Sequence, residues 1–145
     1  MKIYVTLITT TEALNAAHQI RKEVFVVEQN VPEIAEIDEF EDESRHFLAS
    51  YQGQPVGTAR WRFNENGIKL ERFAVVKPMR GKKVGDALMN AILDDISQHP
   101  QHNGQKIYLH AQLSAVGFYE KFAFQRVGEV FDECDILHSK MEKFL

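Results

Sequence analysis

The chain has little sulfur and cannot form an internal disulfide, because Cys134 is the one cysteine among its 145 residues. This excludes a disulfide-stabilised secreted scaffold and fits a reducing compartment. Cys134 is flanked by Glu133 and Asp135, with Asp132 close by. Because neighbouring carboxylates disfavour a thiolate, we do not expect Cys134 to act as a nucleophile.

Long apolar runs and an excess of positive charge are also missing. No apolar stretch approaches the length of a membrane span, and the N-terminus shows no signal-peptide pattern. The net charge is −4, which argues against a nucleic-acid-binding protein. His99 and His102 have no nearby partner ligands, so we expect no metal site. Length and composition predict one cytoplasmic domain over residues 1–145, with no membrane or nucleic-acid partner.

The most informative stretch runs from Leu70 to Asp95 and predicts a strand, a turn and a helix in succession. The strand is apolar after its first residues, and the helix shows apolar residues at three- and four-residue spacing. The turn between them contains Gly81 and Gly85 with three basic residues. Unpaired N–H groups at such a helix start favour a phosphate. The alternative is a purely structural turn, and neither a nucleotide-triphosphate loop nor a G-x-G-x-x-G dinucleotide motif is present.

The remaining pattern predicts an α+β fold. Residues Lys2–Thr9 are typical of a first strand, and Thr9-x-x-Glu12 resembles a capping box before a helix. Short turns then join three strands that must form an antiparallel meander: His46–Tyr51, Pro55–Phe63 and Ile68–Val76.

The helix after the glycine turn is long enough for a right-handed crossover to a parallel strand at Lys106–His110. Parallel neighbours of this kind can splay at their carboxyl ends and leave a cleft beside the turn. Ser114 can cap a short helix, and two strands follow, at Phe124–Val130 and Ile136–Lys143.

Two motifs together resemble the GNAT N-acetyltransferases. The first is the strand ending in Ala74-Val75, followed by [Q/R]-x-x-G-x-[G/A]; Arg80 and Gly85 match, and Lys83 replaces the middle glycine. The second resembles N-x-x-A-x-x-x-Y-x-[KR]-x-G-F. There Ala115, Tyr119, Lys121 and Phe124 match, whereas Gln112 and Ala123 replace asparagine and glycine.

Further resemblance points to the ElaA/YjcF-like branch of that family, through residues 21–32, Glu36-Ile37-Asp38 and His138-Ser139-Lys140-Met141. The resemblance implies a mixed, mostly antiparallel twisted sheet. Helices would cover both faces, and the two central parallel strands would splay apart. It also implies an acetyl-CoA-dependent N-acetyltransferase that acts on a small amine, an amino acid or a lysine.

The resemblance also implies site residues. Phe73, Ala74 and Val75 would pair with the pantetheine arm through their backbone, and Gln112 and Tyr119 would border the same ligand. The pyrophosphate would bind the turn formed by Arg80, Gly81, Lys82, Lys83, Val84, Gly85 and Asp86. Tyr119 is the candidate general acid, because a phenol stays protonated at neutral pH. A packing tyrosine is the alternative.

The proton acceptor and the acceptor site are less well defined. Glu71 could take the amine proton, or it could instead form a salt bridge with neighbouring arginines. Arg60, with Arg62, could hold a substrate carboxylate or pair with the acidic segment at positions 33–43. That segment is either a solvated, partly mobile loop or an acidic rim for an amine. Further candidates to bind the acceptor are Glu28, His110 and His138.

A second class of function fits the same motifs: a non-catalytic acyl-CoA-binding or sensing module with the same fold. The two hypotheses differ at Tyr119, since a sensor does not need a general acid. Analogy with the family also suggests a homodimer through the late strands.

Overall fold

A seven-stranded sheet forms the centre of the computed structural model, which describes residues 2–145. The strands are β1 (Tyr4–Leu7), β2 (Arg45–Tyr51), β3 (Gln54–Asn64), β4 (Gly67–Val75), β5 (Ile107–Gln112), β6 (Gln125–Glu133) and β7 (Ile136–Lys143). The helices are α1 (Thr11–Arg21), which continues as a π-helix over Lys22–Glu28, α2 (Glu33–Glu36), α3 (Val84–Gln98) and α4 (Val116–Glu120). Short 3₁₀ turns cover Lys77–Met79 and Leu113–Ala115.

The strand order is β1-β2-β3-β4-β5-β7-β6, and β4 and β5 are the parallel neighbours. All the other neighbouring pairs are antiparallel, so the predicted meander of β2, β3 and β4 and the mixed sheet are confirmed. The crossover from β4 to β5 runs through α3, as the sequence predicts.

Helix α3 covers one face of the sheet. Its apolar positions Leu88, Ile92 and Ile96 are fully buried and pack against Trp61 of β3 and the neighbouring strands. Side chains of this kind contribute roughly 1.5–3 kcal/mol each when they are removed from water. This packing fixes the N-terminus of α3 at the end of β4, where the site lies.

Helix α1 covers the opposite face, so the prediction of helices on both faces is confirmed. Ile20 and Val24 pack against Ala74 in a smaller apolar cluster. The predicted capping residue is wrong by one position. Thr10, not Thr9, is the N-cap, and its hydroxyl accepts a hydrogen bond from the N–H of Ala13 at 3.1 Å.

The acidic segment at positions 33–43 folds partly against the sheet, as the alternative in which it pairs with Arg60 predicts. It contains the single-turn helix α2, and Glu36 is 4% exposed. Asp38 and Glu41 turn inward to Arg60. These inward carboxylates neutralise buried arginines, whereas the other four acidic residues of the segment are exposed: Glu33, Glu39, Asp42 and Glu43.

Strand β4 pairs with β5 over only three residue pairs, from Ile68↔Ile107 to Leu70↔Leu109. Beyond Leu70 the two strands diverge. On its other side β4 carries a bulge, where Arg72 adopts a left-handed backbone with φ of 61° and the register to β3 shifts. The bulge turns the end of β4 away from β5, so the predicted splay is present.

The end of the chain forms the antiparallel pair β6–β7 beside β5. Ser114 does not cap α4 as predicted. It lies within a 3₁₀ turn, and the N-cap residue is Ala115, which makes no side-chain capping bond. Within residues 2–145, no helix combines the length and the apolar character needed to cross a membrane.

Candidate active site

A cavity of about 600 Å³ opens where β4 and β5 diverge. Its walls come from the carboxyl ends of these strands, the π-helical segment, the start of α4 and the β6–β7 hairpin. The cavity therefore joins the two sequence motifs, which lie some forty residues apart in the chain. A volume of this size suits a small ligand.

The β4 wall offers backbone groups that the sheet leaves unpaired. Past Leu70, β4 has lost β5 as a neighbour, while Val75 still pairs with Gly57 of β3. The predicted segment Phe73, Ala74 and Val75 lines the cavity along this open edge. An extended ligand can hydrogen-bond to such an edge as an added strand does. The carbonyl of Val75 already accepts a bond from Nε of Arg80 at 2.9 Å.

The turn before α3 presents free N–H groups. The first hydrogen bond of the helix runs from the N–H of Ala87 to the carbonyl of Lys83, and no side chain caps the N-terminus. Val84, Gly85 and Asp86 follow the N-cap and lie in this first turn. Their N–H groups precede the helical ladder and, with the helix dipole, favour a bound anion.

Lys83 is the N-cap of α3 and adopts a left-handed conformation, with φ of 66°. Gly81 is also left-handed, with φ of 74°. A non-glycine residue in this region is strained by roughly 1–2 kcal/mol. Lys83 therefore adopts the left-handed backbone conformation that glycine ordinarily supplies in a tight turn.

Gly85 makes a close approach possible. A Cβ at this position would lie 3.1 Å from the ring of Phe118, so the first turn of α3 packs directly on α4. Phe118, the residue before Tyr119, therefore determines how closely the first turn of α3 approaches Tyr119.

Several charged residues around the turn already have partners. Arg80 donates to both carboxylate oxygens of Glu28, at 2.8 and 2.9 Å. Asp86 lies 3.3 Å from the ammonium of Lys121, whereas Lys82 is exposed. The hydrogen bond from Arg80 lowers the pKa of Glu28. Glu28, predicted to bind the acceptor, is thus placed beside the turn instead.

Gln112 stands at the end of β5, and its amide donates to the side-chain oxygen of Gln29 at 2.8 Å. Both residues line the cavity. This bond links β5 to the segment after the π-helix. Gln112 therefore lies beside the cavity. Its hydrogen-bond partner Gln29 was not indicated by the sequence.

Tyr119 lies in α4 with 9% of its surface exposed and lines the cavity. Its ring contacts Phe73 edge-on at 5.9 Å between centroids, and it also packs against Phe118 and Phe124. Burial raises the pKa of its phenol well above the ordinary value of 10. The hydroxyl therefore stays protonated at any physiological pH.

Glu71 and Arg60 are mutual partners. Arg60 is fully buried and binds Asp38, Glu41 and Glu71. It is not among the residues that line the cavity, so the structure favours the alternative in which it pairs with the acidic segment.

Glu71 lines the cavity but accepts hydrogen bonds from Arg60 at 3.0 Å and from Arg62 at 2.8 Å. Burial alone would raise the pKa of Glu71, yet the charge of Arg60 and the bond from Arg62 lower it. A carboxylate held in this way is a weak proton acceptor, and the salt-bridge interpretation of Glu71 is the one that the structure favours.

His110 and His138 meet around Glu133, which the sequence analysis did not identify. Glu133 lies 3.4 Å from Nδ1 of His110 and 3.6 Å from Nε2 of His138. All three residues line the cavity on the side of the β6–β7 hairpin. The side chain of Phe131 packs against both imidazoles. The predicted pair of histidines is thus brought together at one wall.

The sequence analysis names Arg62 together with Arg60 as able to hold a substrate carboxylate, whereas it does not identify Glu133 or Gln29. Arg62 lies in the cavity wall with its guanidinium carbon 3.7 Å from the centre of the Phe40 ring. Alternation along β3 places Arg62 on the face opposite Trp61, a signal that was available. Glu133 and Gln29 carried no comparable signal, because each lies in a weakly patterned segment.

Comparison with known proteins gives a consistent result. Residues 9–145 match the acetyltransferase (GNAT) domain family. The chain is 41% identical over 133 residues to YjcF of Bacillus subtilis, described as an uncharacterized N-acetyltransferase. This match covers 91% of the chain and 93% of YjcF.

Two solved structures are similar over nearly the whole chain. ElaA of Escherichia coli is 30% identical with a TM-score of 0.85, covering 98% of this chain and 99% of that one. An acyl-CoA N-acyltransferase from Pseudomonas aeruginosa is 28% identical, with the same TM-score and the same coverage.

Proposed function

Because the chain belongs to the acetyltransferase (GNAT) family and to its ElaA/YjcF-like branch, we propose that this acyltransferase moves the acetyl group of acetyl-CoA to a primary amine. The observation that supports this most strongly is the divergence of β4 and β5. Past Leu70 the edge of β4 is open, and the cavity beside it is lined by Arg80 of the turn and by the buried Tyr119.

The residues present fit coenzyme A. The free N–H groups of Val84, Gly85 and Asp86 suit a pyrophosphate, and Arg80 and Lys82 add positive charge. The open edge of Phe73, Ala74 and Val75 suits the amide-containing pantetheine arm. Acetyl-CoA supplies an activated thioester, so no metal is required in this account.

The protein's part in the reaction is to orient the groups and to move one proton. A neutral amine attacks the thioester carbonyl, and a backbone N–H of the β4 edge stabilises the oxyanion that forms. When the carbon–sulfur bond breaks, the hydroxyl of Tyr119 gives its proton to the departing thiolate. Burial raises the pKa of this phenol, so it is protonated when the thiolate forms.

The amine must lose a proton during the reaction, and Glu71 is a weak candidate to accept it. Its pKa is lowered, and three cations hold its carboxylate. His110 faces the same cavity beside Glu133, and a neutral imidazole can accept a proton. A proton can leave through His110 or directly to solvent.

Free-thiol release from acetyl-CoA with a panel of amines tests the proposal. Tyr119→Phe is expected to lower kcat by about a hundredfold, the lower range for loss of a general acid, with acetyl-CoA affinity unchanged. Tyr51→Phe is the matched control, because Tyr51 lies on β2 and does not line the cavity.

Equal kcat values for the wild type and Tyr119→Phe would contradict the assigned acid. If the wild type binds acetyl-CoA but transfers acetyl to no amine, the second hypothesis, a non-catalytic acyl-CoA-binding module, replaces the enzyme.

A further inference from the structure

One arginine in the cavity wall keeps donors without a partner. Arg62 is 7% exposed, and its Nε donates to Glu71 at 2.8 Å. Among residues 2–145, no group accepts a hydrogen bond from its two Nη atoms, whereas both Nη atoms of Arg60 are bound. Neither Nη atom of Arg62 is sealed from solvent, since the side chain lines the cavity. The free edge of this guanidinium therefore faces the ligand space.

The position of Arg62 is fixed. The ring of Phe40 supports its flat face at 3.7 Å, and the bond to Glu71 holds the Nε side. The outer edge, with its parallel N–H groups, is the part of arginine that binds a carboxylate in bidentate fashion. A planar donor pair that is held in place before the ligand arrives loses little entropy on binding.

The charge network behind Arg62 has one positive charge in excess. Its members are joined by ion pairs and comprise five cations, Arg21, Arg60, Arg62, Lys69 and Arg72, and four carboxylates, Glu36, Asp38, Glu41 and Glu71. A buried network with an unbalanced positive charge favours an anionic ligand. The excess is available at the cavity through Arg62 and Lys69, which both line it.

The acidic side chains that line the cavity do not cancel the excess positive charge at Arg62 and Lys69. Asp38 is taken by Arg60 and Arg72, Glu36 by Arg21, and Glu71 by the cations already named. Glu133 lies apart, on β6, beside His110 and His138. The cavity thus carries positive charge at the β3–β4 wall and an acid with two imidazoles at the hairpin wall.

We infer that the acceptor is an amine that also carries a carboxylate, that is, an amino acid, and that Arg62 binds the carboxylate with Lys69 beside it. This inference rests on the proposed function. Arg62 and Lys69 lie on β3 and β4, and His110 on β5 points from the same sheet face. The distance from β3 to β5 is about 10 Å, which leaves room for an amino acid between the two walls.

The test compares matched acceptors by free-thiol release from acetyl-CoA: L-amino acids, their amides, and the amines that lack the carboxylate. For the wild type we expect kcat/KM to be at least about tenfold higher for the acid than for its amide, since a hydrogen bond to a charged group contributes about 1.5–3 kcal/mol. Arg62→Gln should raise KM for the acid, leave the amide unchanged, and so abolish the preference. Arg62→Lys should restore part of it.

Arg126→Gln is the control, because Arg126 of β6 donates to the hydroxyl of Ser139 on β7 and does not line the cavity. Titration with acetyl-CoA and a cooperative unfolding transition show whether each variant is folded. A wild type that prefers the amide or the plain amine overturns the inference and leaves the proposed function intact, without use of any variant.

If no acceptor is acetylated, titration of the coenzyme A-bound protein with N-acetyl amino acids decides the matter. Binding that Arg62→Gln abolishes supports the inference. Absence of binding by every N-acetyl amino acid overturns it, even where acetyl-CoA still binds. Failure to bind acetyl-CoA itself is a different result, which refutes the proposed function.

Discussion

Glu41 is the acidic centre of the buried charge network, and its loss should be costly in a way that depends on pH. Its carboxylate accepts two hydrogen bonds from Arg21, at 2.8 and 2.9 Å, and one from His18 at 2.7 Å, and it also pairs with Arg60. The side chain is 13% exposed. Glu41→Gln keeps the shape and removes the charge, which leaves two buried arginines short of a partner.

The size of the effect follows from the ionisation of Glu41. Burial alone would raise its pKa, but the bonds and charge of Arg21 outweigh burial and lower the pKa from 4.5 to about 2. That difference corresponds to about 3 kcal/mol of stability at neutral pH. Removing one partner of a buried ion pair typically costs about 3–5 kcal/mol, which agrees. We therefore expect Glu41→Gln to lower the free energy of unfolding by about 3 kcal/mol at pH 7.

The sign of the pH dependence is fixed. Because the folded-state pKa lies below the unfolded value, the stabilisation is present above pH 4.5 and is lost as the pH falls toward 2. More than half of the difference between wild type and variant should disappear by about pH 3. Urea unfolding at pH 7 and pH 3 measures both values. Glu39→Gln is the control, since Glu39 is exposed, and should change stability by less than about 0.5 kcal/mol.

Two results would refute this reasoning. A cost below about 0.5 kcal/mol at pH 7 would place Glu41 among weak surface ion pairs. A cost that is the same at both pH values would show that the carboxylate acts by its shape and not by its charge.

Two further predictions concern the anion-binding turn. Gly85→Val should weaken acetyl-CoA binding by about tenfold or more in calorimetric titration, because the new side chain displaces Phe118 and moves the first turn of α3. Gly117→Ala is the control and should bind acetyl-CoA as the wild type does, because a Cβ added there meets open space. Glu28→Gln should strengthen acetyl-CoA binding by a few-fold at low salt, because Arg80 no longer pairs with a carboxylate. Glu23→Gln, exposed on the same segment, controls for net charge, and equal gains in both variants would contradict the role of the ion pair.

Local patterns in the sequence were enough to predict most of the fold. The meander of β2, β3 and β4 follows from short turns, and the parallel crossover follows from the length of α3. The turn before α3 and the position of Tyr119 beside the cavity could be predicted because each motif lies in a short, continuous stretch. The conformation of Lys83 could not be predicted from the sequence, and only the structure shows that this lysine is left-handed.

Contacts between distant segments could not be predicted in the same way. The acidic segment has the composition of a solvated loop, yet Asp38 and Glu41 lie against Arg60, about twenty residues away in sequence. The sequence analysis names Arg60 and Arg62 as alternative partners of this segment, but no local pattern indicates which of its carboxylates turn inward. The same is true of Glu133, which approaches His110 only because β6 folds back beside β7.

The alternation of side chains along β3 does not distinguish the roles of Arg60 and Arg62. Both lie on the same face of β3, and no pattern in the sequence distinguishes them. The structure separates them by burial and partners, since Arg60 is enclosed by three carboxylates and Arg62 retains free donors in the cavity.

Calorimetric titration of the protein with acetyl-CoA, with ATP as the comparison, measures whether the cavity is a coenzyme A site. We expect one acetyl-CoA per chain, bound near the micromolar range (about −8 kcal/mol), with no comparable heat from ATP. Binding should persist in Tyr119→Phe and weaken in Gly85→Val. Absence of acetyl-CoA binding, or equal binding of ATP, would contradict the claim that the divergence of β4 and β5 forms a site for coenzyme A.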